Sequence, residues 1–119
     1  MVSNDDLINT VVQTIKEKKA SDIVKLKVGE VTEITDSFII CTSQSDVHSR
    51  ALADAILEEL ENKGVSAHHL EGYELGRWVL LDYLDFVIHI FLPKQRAYYG
   101  LERLWGDVPK EEYSDEKQD

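Results

Sequence analysis

The sequence predicts a single α/β domain in which a mixed sheet of about five strands packs with three helices. Segments with apolar residues at helical spacing alternate along the chain with short runs of β-branched and aromatic residues. One helical segment lies between two strands, as a crossover connection requires. A chain of 119 residues that is 43% hydrophobic and 30% charged suits one globular domain and not a disordered chain.

The N-terminal third is predicted to form one helix and two strands. The helix covers about residues 4–19, and Ser3 with Asp6 resembles a capping box at its start. Its apolar residues share one face: Leu7, Ile8, Val11, Val12 and Ile15. Alternating side chains over residues 22–28 indicate a strand, and the continuous apolar run at 38–41 is typical of a central strand.

The clearest predicted helix spans residues 46–63. Its buried stripe would consist of Val47, Ala51, Ala55, Ile56 and Leu60. Ser45 or Asp46 can cap the start of this helix, and Gly64 can end it in a left-handed conformation. A short strand is predicted to follow near residues 67–70.

The last third of the domain is predicted to be a hairpin followed by a helix. Residues 78–81 and 86–91 read as two strands joined by a tight connection. Pro93 suits the first position of a helix that runs to about Trp105 and stops at Gly106.

Residues 107–119 differ in composition from the rest of the chain. They hold six acids and two lysines, so they carry −4 of the net charge of −10 and leave −6 on residues 1–106. We therefore predict a folded domain over residues 1–106 and a frayed, solvated acidic tail after it.

The charge and the cysteine content narrow the classes of partner and location. A net charge of −10 with no basic stripe argues against DNA or another nucleic acid held through its phosphates, and suits a basic protein partner. Cys41 is the only cysteine, so an intramolecular disulfide is impossible. No apolar stretch is long enough for a membrane span, and the N-terminus resembles no targeting segment. A cytoplasmic location is the expectation.

No residue pattern predicts an active site, and no metal or cofactor is expected. Asp82 and Asp85 could hold a divalent cation, but acids three apart on an extended chain point to opposite faces, which favours polar turn residues. Cys41 could be a nucleophile with His48 or His89 as its base, yet its apolar neighbours favour a buried structural thiol. His89, alone in an apolar strand, suits packing or an interface better than a ligand role.

The most informative residues are aromatic and lie towards the C-terminus. They are Trp78, Tyr83, Tyr98, Tyr99 and Trp105. Tyr98, Leu101 and Trp105 fall on one face of the predicted last helix. Tyrosine and tryptophan are enriched in interface hot spots, but they also complete cores. From the residues alone, a partner-binding surface and a plain core are about equally supported.

Four segments in order resemble the Iojap-like family of ribosomal silencing factors. The resemblance spans about residues 5–106 and is carried by Asp36-Ser37-Phe38-Ile39-Ile40-Cys41-Thr42-Ser43 with Ser49-Arg50 and Ala53-Asp54, Glu71-Gly72 with Trp78-Val79-Leu80-Leu81-Asp82, Asp85-Phe86-Val87-Ile88-His89, and Arg96, Tyr99, Leu101, Glu102, Leu104 and Trp105. The resemblance implies a fold similar to that of nucleotidyltransferases but used without catalysis. The catalytic signature of those enzymes, a Gly-Ser helix start and two acids one residue apart, is not met.

What the resemblance implies about function is specific. Such proteins bind the large ribosomal subunit through ribosomal protein L-fourteen, block joining of the small subunit and lower translation when nutrients are scarce. Free copies can self-associate as a homodimer. The expected partner-binding residues are Trp78, Tyr83, His89, Tyr98, Tyr99, Leu101 and Trp105, with Arg96 and Glu102 orienting the last helix; Tyr83 and Tyr98 rest on their residue type alone. The alternatives are a nucleotide-binding or nucleotidyltransferase-like enzyme and a homodimeric scaffold.

Overall fold

A computed structural model describes residues 2–113 as one six-stranded mixed sheet with helices on both faces. The helices are α1 (Asn4–Glu17), α2 (Asp46–Glu61), α3 (Pro93–Tyr99) and α4 (Leu101–Leu104), and a 3-10 turn covers Val28–Glu30. The strands are β1 (Ser21–Leu26), β2 (Ser37–Thr42), β3 (His69–Glu71), β4 (Trp78–Asp82), β5 (Phe86–Phe91) and β6 (Lys110–Tyr113). The predicted fold class is confirmed.

The sheet has the strand order β3-β4-β5-β2-β1-β6. Only β2 and β5 pair in parallel, and every other neighbouring pair is antiparallel. The parallel pair lies at the centre, where β5 is buried along its whole length. This arrangement is the mixed sheet that the crossover helix predicted.

Helices α1 and α2 cover one face of the sheet and build the larger core. The predicted α1 stripe is confirmed, because all five of its apolar residues are buried. The backbone N–H of Asp6 donates to the hydroxyl of Ser3 at 3.1 Å, as a capped helix start requires. Strand residues such as Ile39, Ile88 and Ile90 meet these helices from the sheet.

The predicted buried stripe of α2 is only partly right. Ile56 and Leu60 are buried as expected and Ala55 is half-buried, whereas Val47 and Ala51 are exposed. The buried positions in the first half of the helix are Ser49, Leu52 and Ala53. Ser49 faces inward because its hydroxyl pairs with that of Ser43 at 2.5 Å in the core. A buried hydroxyl that is hydrogen-bonded is tolerated, so an apolar pattern alone misplaces the first turn of the helix.

The predicted frayed tail is wrong for residues 107–113. Strand β6 pairs antiparallel with β1, and the N–H of Lys27 donates to the carbonyl of Pro109 at 2.9 Å. Val108 is buried in the smaller core. The sheet therefore extends beyond the predicted boundary at residue 106 and gains a sixth strand. Residues 114–119 lie outside the described part of the chain.

The last predicted helix is interrupted at Gly100. This residue adopts the left-handed conformation with a φ of 56°, which ends α3 and begins α4. Pro93 occupies the first turn of α3 as predicted. Within residues 2–113, no helix has the length and apolar character needed to cross a membrane.

Candidate functional site

The second face of the sheet carries a smaller, aromatic-rich cluster. We call it the aromatic face and define it as Phe38, Trp78, His89, Phe91, Tyr99, Leu101 and Trp105. The strand alternation creates it: Val79 and Leu81 point into the helix-side core, and Trp78 points away from it. Helices α3 and α4 cover this face incompletely, because none of their residues is fully buried.

Trp78 packs against three other rings of the aromatic face, those of His89, Phe91 and Tyr99. It lies directly opposite Phe91 in the β4–β5 register, and their ring centroids are 4.9 Å apart. Tyr99 of α3 packs on the same indole with a centroid distance of 4.6 Å. Aromatic pairs at these separations add stability beyond the area that they bury. Trp78 as a whole remains half-buried.

His89 lies beneath the rings of the aromatic face and is only 4% exposed. The indole N–H of Trp78 donates to its Nδ1 at 3.1 Å, and the ring of Phe38 meets it edge-on at 4.6 Å. Burial lowers the pKa of His89 to about 4. The imidazole is therefore neutral near pH 7, and because Nδ1 accepts, the proton resides on Nε2.

Arg96 joins the C-terminal helices to the sheet. Its Nε and Nη2 donate to the two carboxylate oxygens of Glu102 at 2.9 and 3.0 Å. Its Nη1 donates to the carbonyl of Asp22 at 2.6 Å and to the hydroxyl of Thr42 at 2.8 Å. The hydrogen bond from Arg96 holds the pKa of Glu102 below its usual value. The forked ion pair joins α3 to α4, and the two further hydrogen bonds join α3 to β1 and β2.

Trp105 and the half-buried Leu101 complete the aromatic face at its other end. The ring of Trp105 packs edge-on against Phe38 with a centroid distance of 5.6 Å. Val108 lies in the same cluster and joins β6 to it. The aromatic side chains of the predicted last helix are therefore packed against the sheet in part and exposed to solvent in part.

The outer rim of the aromatic face is apolar and accessible. Tyr98 is 77% exposed, and Tyr99 beside it is also exposed. Two residues that the sequence analysis missed extend this rim, Leu104 at 73% exposure and the exposed Leu75 in the β3–β4 loop. Tyr99 lines two grooves: one of 270 Å³ with Leu104 and Arg103, and one of 220 Å³ with Leu75 and Arg77. The spacing of Leu101, Leu104 and Trp105 could have revealed Leu104, but no pattern marks Leu75.

Tyr83 does not belong with the other predicted site residues. It is 7% exposed and stacks on Phe86 in the helix-side core at 5.3 Å. Burial raises the pKa of Tyr83 to about 12. Strand alternation explains its place, since Tyr83 is an odd number of residues from Trp78 and shares the face of Val79 and Leu81. Its prediction as part of one surface with Trp78 is wrong.

The residues weighed for catalysis have structural roles. The carboxylate of Asp82 accepts from the N–H of Leu84 at 2.8 Å, and that of Asp85 accepts from Asn4 at 3.1 Å. Burial raises the pKa of Cys41 to about 12, so its thiol is neutral. Among residues 2–113, no group of three or more His, Cys, Asp or Glu side chains is placed to hold a metal ion.

The chain is similar to proteins of known family over most of its length. It is 40% identical over 108 residues to a ribosomal silencing factor of Halalkalibacterium halodurans, covering 91% of this chain and 92% of that one. It is 39% identical over 93 residues to the Bacillus subtilis protein of the same name, covering 78% and 79% of the two chains. The chloroplastic protein Iojap of Zea mays is 37% identical over 92 residues, covering 77% of this chain and 40% of that one.

Solved structures share the fold. A crystal structure from Chromobacterium violaceum has a TM-score of 0.85 at 30% identity and covers 99% of this chain and 92% of that one. A crystal structure from Bacillus halodurans has a TM-score of 0.80 at 36% identity and covers 92% and 100%. The family described as ribosomal silencing factor during starvation matches residues 2–119. The chain therefore belongs to the ribosomal silencing factor family.

Proposed function

We propose that this protein binds the large ribosomal subunit through ribosomal protein L-fourteen and blocks joining of the small subunit. Membership of the silencing factor family supports the ribosomal role. A mouse relative named for mitochondrial assembly of the ribosomal large subunit, 29% identical over 101 residues and matched over 44% of its length, supports that subunit as the partner. The observation that carries the proposal is the aromatic face with its accessible rim.

The composition of this surface favours a protein partner. Tyr98, Tyr99 and Leu104 are exposed and Trp78 is half-buried, so aromatic and aliphatic groups are accessible on this side of the sheet. Such residues are enriched at the centres of protein interfaces. Exposed apolar patches of this kind on small proteins mark interaction sites.

The mechanism is steric and needs no chemistry. A folded domain that occupies the joining surface removes the contacts that the small subunit requires. Translation then falls under nutrient limitation, in the cytoplasm where the ribosomes work. Free copies pair as a homodimer through the same aromatic face, so that self-association and ribosome binding compete.

Co-sedimentation with purified large subunits, small subunits and joined ribosomes tests the proposal. We expect wild type to pellet with large subunits only. Tyr98→Ala and Leu104→Ala should weaken that binding by about tenfold each, because truncation of an apolar interface anchor costs on the order of 1–2 kcal/mol. Both side chains are largely exposed, so neither variant should lose its fold.

Ile34→Ala is the matched control. Ile34 is 86% exposed, lies in the loop before β2 and is not among the residues that form the aromatic face. This variant should pellet like wild type. Trp78→Ala should abolish pelleting, with circular dichroism to confirm that it stays folded. Equal weakening by Ile34→Ala, or no pelleting of wild type with any ribosomal particle, contradicts the proposal; in the second case a thermal-shift screen with nucleotides and magnesium tests the enzymatic alternative.

A further inference from the structure

Trp78 and His89 are diagonal neighbours on adjacent strands. The β4–β5 register places Leu80 opposite His89 and Trp78 opposite Phe91, so Trp78 and His89 lie on the same face two positions apart. Long aromatic side chains span such diagonals in antiparallel sheets. The result is the 3.1 Å hydrogen bond from the indole N–H to Nδ1.

The two nitrogens of His89 are used unequally. Nδ1 accepts from Trp78, whereas the buried Nε2 has no hydrogen-bond partner among residues 2–113. An unpaired buried donor costs about 1–3 kcal/mol, so a phenylalanine or leucine would fill this space at lower cost. Packing alone therefore gives no reason for a histidine here, and the acceptor for Trp78 is the one polar interaction that it supplies.

We propose that His89 is a positioning residue that orients the Trp78 indole on the aromatic face and does not itself touch the partner. The inference deepens the proposed function and rests on it only where affinity is concerned. At 4% exposure, with Phe38 and Phe91 as neighbouring rings, His89 offers a partner almost no surface. The indole N–H is already used internally, so Trp78 presents its ring and not its donor.

Two substitutions separate hydrogen bonding from packing. In His89→Asn, the side-chain amide oxygen can occupy the place of Nδ1 and keep an acceptor for Trp78. In His89→Leu, a side chain of comparable bulk keeps apolar packing but removes the acceptor. A role in packing alone would make the leucine variant the better of the two, and a positioning role makes the asparagine variant the better.

The first readout is the indole signal of Trp78 in proton–nitrogen NMR spectra. The chain has two tryptophans, and Trp78→Phe identifies which signal belongs to Trp78. We expect His89→Leu to shift that signal upfield and speed its hydrogen exchange by about tenfold or more, and His89→Asn to keep it near its wild-type position. The Trp105 signal should keep its exchange rate in both variants.

The second readout is affinity for isolated large subunits. His89→Leu should weaken binding by about tenfold, and His89→Asn by less than about threefold. In a Trp78→Phe background, the two His89 variants should bind alike, because the donor that they distinguish is gone.

Several outcomes would overturn the inference. An unchanged Trp78 signal in folded His89→Leu removes its basis, and so does His89→Leu binding large subunits as well as wild type. If wild type binds no ribosomal particle while the indole signal responds as expected, then the positioning of Trp78 stands and the proposed function fails.

Discussion

At the scale of single residues, the buried imidazole of His89 links the aromatic face to the stability of the fold. Burial lowers the pKa of His89 to about 4, while in an unfolded chain it would titrate near 6.5. Between these values the unfolded chain binds a proton that the folded chain rejects. This contribution to stability is therefore present above pH 6.5 and is lost as the pH falls towards 4.

We therefore predict that the free energy of unfolding drops by up to ~3 kcal/mol between pH 7 and pH 4 through His89 alone. Urea denaturation at several pH values, compared with His89→Leu, isolates this effect. The leucine variant should show a shallower dependence on pH in this interval. Identical slopes for the two proteins would contradict the assignment of the titration to His89.

Arg96 supplies a second prediction for a single side chain. Its guanidinium forms a two-point contact with Glu102 and also donates to Asp22 and Thr42. A lysine keeps the charge but cannot form the fork, so Arg96→Lys should lower the free energy of unfolding by about 2 kcal/mol. Lys94→Arg is the control, because Lys94 is exposed on the same helix and its substitution should change stability little. If chemical denaturation shows no loss of stability in Arg96→Lys, the prediction is contradicted.

At the scale of elements, β6 is part of the sheet although its sequence looks like a tail. Lys110 and Glu112 form an ion pair on the strand. Three of its four residues are exposed, and Tyr113 is half-buried. Charged edge strands resist unwanted pairing with other chains. The strand β6 therefore pairs with β1 and forms the edge of the sheet, while its side chains are those expected of a solvated segment.

Deletion of residues 107–119 should destabilise the protein. The deletion exposes the edge of β1 and removes the buried Val108, whose side chain contributes about 1.5–3 kcal/mol by burial. Thermal unfolding of this variant and of one that ends at Tyr113 gives the comparison. The longer deletion should melt at a lower temperature than the shorter one, and equal melting temperatures for the two variants would refute a structural role for β6.

At the scale of the whole molecule, charge and apolar surface act on different steps of association. The net charge of −10 attracts a basic partner at long range and so raises the rate of encounter. The most exposed rim residues, Tyr98, Tyr99 and Leu104, are uncharged, so the rate of dissociation should depend on packing instead.

Salt should therefore change one rate constant and leave the other. Raising the ionic strength from about 0.05 M to about 0.3 M should slow association with immobilised ribosomal protein L-fourteen several-fold, while the dissociation rate stays within about twofold. Leu104→Ala should show the reverse pattern, with faster dissociation and unchanged association. A dissociation rate that follows the salt concentration would indicate ion pairs at the centre of the interface.

Most of the elements were predictable because their signals are local. The helical spacing in α1, the cap at Ser3 and the apolar run of β5 are read from neighbouring residues, and the structure agrees with them. The burial of Tyr83 on the helix-side face could also have been predicted from the sequence, because Tyr83 is an odd number of residues from Trp78. The family resemblance located the aromatic segments without showing which residues were buried.

By itself, the sequence determined the fold class, the positions of the first five strands along the chain and the family, because periodicity and spaced motifs can be read from neighbouring residues. The order of the strands within the sheet came from the tertiary structure. Only the tertiary structure decided that Lys110–Tyr113 is a strand, because its partner β1 lies more than 80 residues earlier and its own side chains are charged. The tertiary structure also showed that His89 is buried next to Trp78 and that Leu75 is exposed at the rim. Burial and pairing between distant segments depend on how the sheet brings those segments together, which no local pattern records.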